Sequence, residues 1–135
     1  MLLVDDNDDE LQLLNRALAP EGFRILTAKC ASDGFEILAR HGADIVISDS
    51  HMPEMSGIEF LSRIRKLYSN TVRVLASRSD DAPTLTRATN QAGIHKFLSK
   101  DWTPDRMRAE MREAMRARGG AAATGQYRDL GTKGK

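Results

Sequence analysis

Ile45-Val46-Ile47-Ser48-Asp49-Ser50-His51-Met52-Pro53-Glu54-Met55-Ser56-Gly57 is the stretch that decides how the chain is read. A short β-branched run ends in a carboxylate. A loop carrying Pro53 and Gly57 follows, and then Ile58, Leu61 and Ile64 recur at helical spacing up to about Leu67. The pattern is strand, loop, helix. It places Asp49 at the carboxyl end of a buried strand, which is where open α/β sheets bind their ligands.

Outward from this unit the same alternation repeats. Met1 to Val4 reads as a short first strand, with Asp5, Asp6 and Asn7 at its carboxyl end. Asp8 or Asp9 is expected to cap a helix whose stripe is Leu11, Leu14 and Leu18 and which Pro20 and Gly22 end. Phe23 to Ala28 reads as the second strand. Ser32 to Arg40 reads as the second helix, with Phe35, Ile37 and Leu38 inward. Beyond the central unit, Val72 to Ala76 is the fourth strand and Ser77 stands at its end. Pro83 suits the first turn of a thin fourth helix carrying Leu85, Ala88 and Ala92, which stops at Gly93. Ile94 to Ser99 includes the fifth strand, and Lys100 follows it. Thr103 and Pro104 open the last helix, with Met107, Met111 and Met115 inward. Five strands alternating with five helices through short connections imply an α/β fold, a doubly wound parallel sheet covered on both faces.

Composition sets the bounds. The 135 residues suit one domain, and 41% apolar with 29% charged residues is an ordinary globular balance. A net charge of +1 gives no bulk electrostatic reason to bind nucleic acid. In the last helix, Arg106, Arg108, Arg112, Arg116 and Arg118 are interrupted by Glu110 and Glu113, so they read as a solvated face. The lone Cys30 excludes an internal disulfide and fits a reducing cytoplasm. No apolar run approaches the ~20 residues of a membrane span. No signal peptide is visible, since Leu2-Leu3-Val4 runs straight into Asp5 and Asp6. Residues 1–116 form the expected domain. From Gly119 the sequence turns to small residues, and 117–135 reads as a flexible tail or linker.

Parallel strands all end on one edge of the sheet, so Asp5, Asp6, Asp49, Ser77 and Lys100 are expected to converge there. Two carboxylates ~4 Å apart repel by about 4 kcal/mol at an effective dielectric of 20. A divalent cation offsets this, and an all-oxygen site suits Mg²⁺ or Mn²⁺. A carboxylate nucleophile, a metal, an ammonium and a hydroxyl together describe phosphoryl transfer through an aspartyl phosphate.

Residues 1 to about 116 resemble the receiver domain of two-component response regulators. Leu3-Val4-Asp5-Asp6-Asn7, Asp49 through Gly57, Val74-Leu75-Ala76-Ser77 and Phe97-Leu98-Ser99-Lys100 carry the resemblance, in order and at the right spacing. The resemblance implies a flavodoxin-like sheet of order 2-1-3-4-5. It makes Asp49 the phosphoacceptor for a sensor histidine kinase or a histidine phosphotransfer protein. Asp6 would be a direct Mg²⁺ ligand, Asp5 a water-mediated one, and Asp49 and the backbone carbonyl of His51 further ligands. Ser77 would be the switch hydroxyl, Lys100 the phosphoryl partner, and Phe97 the aromatic that rotates with the switch. Phosphorylation, adding about −1.5 to −2 charge, would then bias the surface of the fourth helix, fifth strand and fifth helix, through which homodimers can form. The product would hydrolyse slowly, with no metabolite turned over.

Three departures from the family pattern stand out: the short first strand, Arg78 after the switch serine, and Asp101 where the family usually has proline. A trans Lys100–Asp101 peptide is expected, because a cis bond before a non-proline residue costs ~2.5–4 kcal/mol. Asp101 adds a negative charge beside Lys100, which would weaken its grip on phosphate. Arg78 would either screen Asp49 or attract a phosphodonor. Ile94 to Trp102 is also similar to receivers joined to cyclic-di-nucleotide phosphodiesterase modules, so the tail would lead to such an output domain. Two rivals remain open. One is a pseudo-receiver that binds partners without phosphorylation. The other is a metal-dependent phosphohydrolase, which would need an aspartate at position 51, where this chain has histidine.

Overall fold

The structure, a computed structural model, describes residues 1–78 and 82–121; of residue 82 and residues 118–121 the backbone alone is described. The strands are β1 (Leu2–Val4), β2 (Leu26–Ala28), β3 (Ile45–Asp49), β4 (Val72–Ser77) and β5 (Lys96–Ser99). The helices are α1 (Asp8–Leu18), α2 (Ala31–His41), α3 (Gly57–Leu67), α4 (Ala82–Arg87) and α5 (Pro104–Ala121). A 3-10 turn, Ala19–Glu21, follows α1, and a π-helical turn, Ala88–Ala92, extends α4. All strand pairs are parallel, and the order is β2-β1-β3-β4-β5. Both the fold class and the strand order are those the sequence and the resemblance imply.

Strand residues alternate between the two faces, and both faces are buried. Leu3, Ile45, Ile47, Val72, Val74 and Ala76 pack with Leu11, Leu14 and Leu18 of α1 and Met107 and Met111 of α5. Leu2, Val4, Val46 and Leu75 pack the other way, with Phe60, Leu61 and Ile64 of α3 and with Ala88 and Ala92. Each large side chain so buried stabilises by roughly 1.5–3 kcal/mol. Met115 is half-buried against the first cluster. Leu38 of α2 is buried, whereas Phe35 and Ile37 are half-buried against the second.

Local expectations need adjustment in three places. β2 begins at Leu26 rather than Phe23, because its ladder starts where the Leu26 N–H donates to the Met1 carbonyl at 2.9 Å. The cap of α1 is Asn7, not Asp8 or Asp9. Its side chain accepts from the Glu10 N–H at 3.0 Å, and the acids fill the first turn, where the helix dipole favours them. α5 continues through Ala121, five residues into the expected tail. The rest of that tail, 122–135, lies outside the described residues. The described peptides include no cis bond, so Lys100–Asp101 is trans. No helix among the described residues is long and apolar enough to cross a membrane.

Candidate functional site at the carboxyl edge of the sheet

The strand order reverses between β1 and β3, so a crevice opens at their carboxyl ends. Val4 of β1 lies beside Ser48 of β3, and one step further along brings Asp5 beside Asp49. On the other side Asp49 pairs with Ala76 and Ser77 with Ser99, after which Lys100 leaves β5 at the same edge.

Lys100 is the hub. Its Nζ donates to Asp5 Oδ2 and to Asp49 Oδ1, each at 2.6 Å, and lies 2.5 Å from Glu10 Oε1. The Lys100 side chain is 4% exposed and that of Asp5 2%. Burial works to strip the Lys100 proton, but hydrogen bonds to Asp49, Asp5 and Glu10 outweigh it and hold its pKa above the ordinary lysine value. Burial raises Asp5, against the opposing hydrogen bonds from Lys100 and from the Asn7 N–H. The hydrogen bond from Lys100 holds Glu10 below the usual carboxylate range, and Arg78 adds to the effect.

Asp5, Asp6 and Asp49 each offer an oxygen within 4.8 Å of the others. Asp5 is buried, Asp49 half-buried and Asp6 exposed. Such a cluster of hard carboxylate oxygens, reached from one exposed side, fits Mg²⁺ or Mn²⁺. Across the whole edge, Asp5, Asp6, Glu10, Asp49 and Asp101 face Lys100 and Arg78, leaving three negative charges uncompensated. A dication would offset most of that excess.

The loop after β3 folds over Asp49. The His51 N–H donates to Asp49 Oδ2 at 3.2 Å, while the exposed imidazole has Nδ1 2.9 Å from Ser50 Oγ. Ser50 Oγ in turn donates to Ser77 Oγ at 3.4 Å. Gly57 closes the loop, donating to the Ser50 carbonyl at 2.9 Å. A Cβ at Gly57 would lie 1.9 Å from the Asp49 carbonyl oxygen, so no other residue fits there. Glu54 ties the loop to α2, accepting from the Ser32 N–H and hydroxyl at 3.0 and 2.8 Å.

The two residues that depart from the family pattern meet at the rim. Arg78 donates from Nε to Glu10 Oε2 at 3.0 Å and from Nη1 to Asp101 Oδ1 at 2.6 Å. Asp101 thus pairs with Arg78, and its charge is partly neutralised. Phe97 stands apart from the cluster. It is half-buried and meets Trp102 edge to face at 6.4 Å, and Arg106 stacks on Trp102 at 4.2 Å.

Glu10 and Ser50 are the members that sequence reasoning missed. Asn7 and Glu10 have the spacing of a capping box, in which the acid reaches back to the cap N–H. Here the Asn7 N–H already donates to Asp5 Oδ1 at 2.9 Å, which leaves Glu10 for Lys100 and Arg78. That spacing was the one local signal for Glu10. Ser50 carried only its place beside Asp49.

The family model of the response regulator receiver domain matches residues 1–112. The chain belongs to that family. It is similar to the signal receiver domain of an HD domain-containing protein from Pseudomonas fluorescens Pf-5, at TM-score 0.84 and 31% identity over 90% of each chain. It is also similar to a CheY-like receiver from Methanospirillum hungatei, at TM-score 0.82 and 21% identity, covering 89% of this chain and 95% of that one. Among curated relatives it is 33% identical to the hydrogenase transcriptional regulatory protein HoxA of Cupriavidus necator over 119 residues, 88% of this chain. It spans only 24% of that relative's length. Receiver domains are signalling modules of two-component systems, work with histidine kinases or phosphotransfer proteins, and bind Mg²⁺ in an acidic pocket; in this chain Asp5, Asp6 and Asp49 form an acidic cluster that could hold a metal ion.

Proposed function

We propose that this receiver domain accepts a phosphoryl group on Asp49 from a phosphohistidine of a sensor kinase or phosphotransfer protein. The observation that carries the reading is the Lys100 ammonium, 2.6 Å from both Asp5 and Asp49 at the point where the sheet order reverses. An Asp49 carboxylate oxygen attacks phosphorus, the P–O bond forms, the P–N bond of the donor breaks, and imidazole leaves with its electron pair and takes up a proton. Lys100 neutralises charge on the transferred group. Asp6, Asp49, the His51 carbonyl and, through water, Asp5 would hold Mg²⁺ or Mn²⁺, which when bound supplies charge stabilisation of the phosphoryl oxygens.

In the same reading Ser77 follows the phosphoryl group, Phe97 turns inward in its wake, and the face made by α4, β5 and α5 changes shape. Half-buried Phe97 and Trp102 on that face suit it to an output contact or a homodimer. Residues 1–116 act as the receiver and the segment beyond leads to an output module in the cytoplasm. That module is either a transcriptional regulator, as HoxA is by name, or a cyclic-di-nucleotide phosphodiesterase.

The test is intact mass after incubation with acetyl phosphate and Mg²⁺, beside Asp49→Asn. A gain of one phosphoryl group in the parent and none in the variant is the expected result. No gain with acetyl phosphate or a phosphohistidine donor, in folded protein, overturns it. A partner-binding module without phosphorylation would then take its place, and the full engagement of Lys100 by three carboxylates is the observation on that side.

A further inference from the structure

Glu10 sits where neither strand-end chemistry nor metal ligation requires an acid. It belongs to the first turn of α1, and its side chain is 19% exposed, against 53% for Arg78. Its two oxygens are divided between two cations. Oε1 lies 2.5 Å from Lys100 Nζ, and Oε2 lies 2.9 Å from Arg78 Nη2 and 3.0 Å from its Nε. Arg78 is in turn anchored on Asp101 at 2.6 Å. One carboxylate thus joins α1 to the residues that follow β4 and β5, and it engages the ammonium that also holds Asp5 and Asp49.

We infer that Glu10 is a positioning residue of the acceptor site, competing with the anion on Asp49 for Lys100, and that Arg78 sets the strength of that competition by neutralising Glu10. The inference rests on the phosphoacceptor reading and deepens it. An ammonium has three donors, and all three are engaged by carboxylates here. A phosphoryl oxygen on Asp49 can gain Lys100 only if one partner yields. Asp5 is buried and also accepts from the Asn7 N–H, so it is fixed. Glu10 has a second cation to retire to, and its release leaves no buried charge unpaired. It is therefore the partner that yields. Arg78 eases the release because half of the Glu10 charge is already committed to it. Without Arg78 the whole charge falls on Lys100.

The signs of the expected effects are opposed, which separates positioning from mere structural support. The probe is beryllofluoride with Mg²⁺, a stand-in for the phosphoryl group on Asp49. Binding is read from the fluorescence of Trp102, the only tryptophan, two residues from Lys100. Glu10→Gln keeps shape and removes charge, and should bind the probe about three- to tenfold more tightly. Arg78→Ala should bind it several-fold more weakly, and Arg78→Lys should restore most of the loss. In the Glu10→Gln background, Arg78→Ala should have almost no further effect. Circular dichroism melts verify that each variant is folded. Weaker or unchanged binding by folded Glu10→Gln overturns the inference. So does an Arg78→Ala penalty that persists in the double variant, which would put Arg78 directly on the anion. If the parent itself binds no probe, the phosphoacceptor reading falls and this inference with it; if the parent binds and only the variant pattern fails, the phosphoacceptor reading stands.

Discussion

The two sides of the carboxyl edge are built differently. The side that carries Asp49, made of β1, β3 and α3, is held by apolar packing and one backbone approach too close for a Cβ. Every residue from Ile45 to Ser48 is buried, and α3 buries Ile58, Phe60, Leu61 and Ile64. On the other side β4 is buried throughout, and β5 and α5 bury Leu98, Met107, Met111 and Ala114, but the α4 segment between them buries little. Of residues 83–92 only Ala88 and Ala92 are buried, and α4 passes into a π-helical turn. Such turns recur at functional sites. Burying two alanines contributes far less than burying four large side chains. The Asp49 carboxylate sits on the densely packed side. The α4 segment, with few buried apolar contacts, is the softer part.

The contrast is broken most severely at Gly57. In Gly57→Ala the new methyl would meet the Asp49 carbonyl oxygen at 1.9 Å, against backbone that the β3–β4 ladder holds in place. The expected loss is at least about 4 kcal/mol of unfolding free energy, read by urea titration, with acetyl phosphate labelling abolished. A folded, labelled Gly57→Ala would mean that the loop after Asp49 is as pliable as the far side.

On the other side the corresponding anchor is polar. Arg73 is a buried β4 side chain whose guanidinium donates to the carbonyls of Ala92 at 2.9 Å, Gly93 at 3.3 Å, Ser69 at 3.3 Å and Thr71 at 3.1 Å. Burial, and then the neighbouring Arg65, pull its pKa below the ordinary arginine value. It caps the end of the π turn, where Gly93 is left-handed at φ 57°. Arg73→Met keeps the stem and deletes the donors, leaving those carbonyls short of partners. A cost of roughly 2–4 kcal/mol is expected. Hydrogen exchange should rise most in residues 82–95 and least in β1 and β3. Uniform exchange across both sides would remove the distinction.

The same contrast explains what the sequence disclosed. β1, β3, β4 and α3 were legible because apolar periodicity reports packing directly, and the bounds of α3 fall where Gly57 and Leu67 put them. The convergence of Asp5, Asp49 and Lys100 followed from parallel topology alone. Arg73 was not legible, since an arginine inside a strand carries no sign of the four carbonyls it serves. Glu10 was hidden for a related reason. On α1 it is one acid among several, and its partners lie 68 and 90 residues further along the chain. The cap of α1 was misplaced because Asn7, Asp8 and Asp9 are all competent to cap, and only geometry chooses among them.

The finest distinction compares two phenylalanines. Phe60 is fully buried, and its ring meets Phe35 edge to face at 4.9 Å. Phe97 is half-buried and meets Trp102 at the longer 6.4 Å. Phe60→Ala should cost about 3–5 kcal/mol through lost transfer energy and the cavity left behind. Phe97→Ala opens toward solvent, leaves no closed cavity, and should cost only about 1 kcal/mol. Its effect should appear elsewhere. If the Phe97 ring moves with Ser77, the variant should still take up phosphate on Asp49, while the fluorescence response of Trp102 to beryllofluoride shrinks. A Phe97→Ala cost equal to that of Phe60→Ala would show that β5 is packed as firmly as α3, and the soft side would then have to be sought in α4 alone.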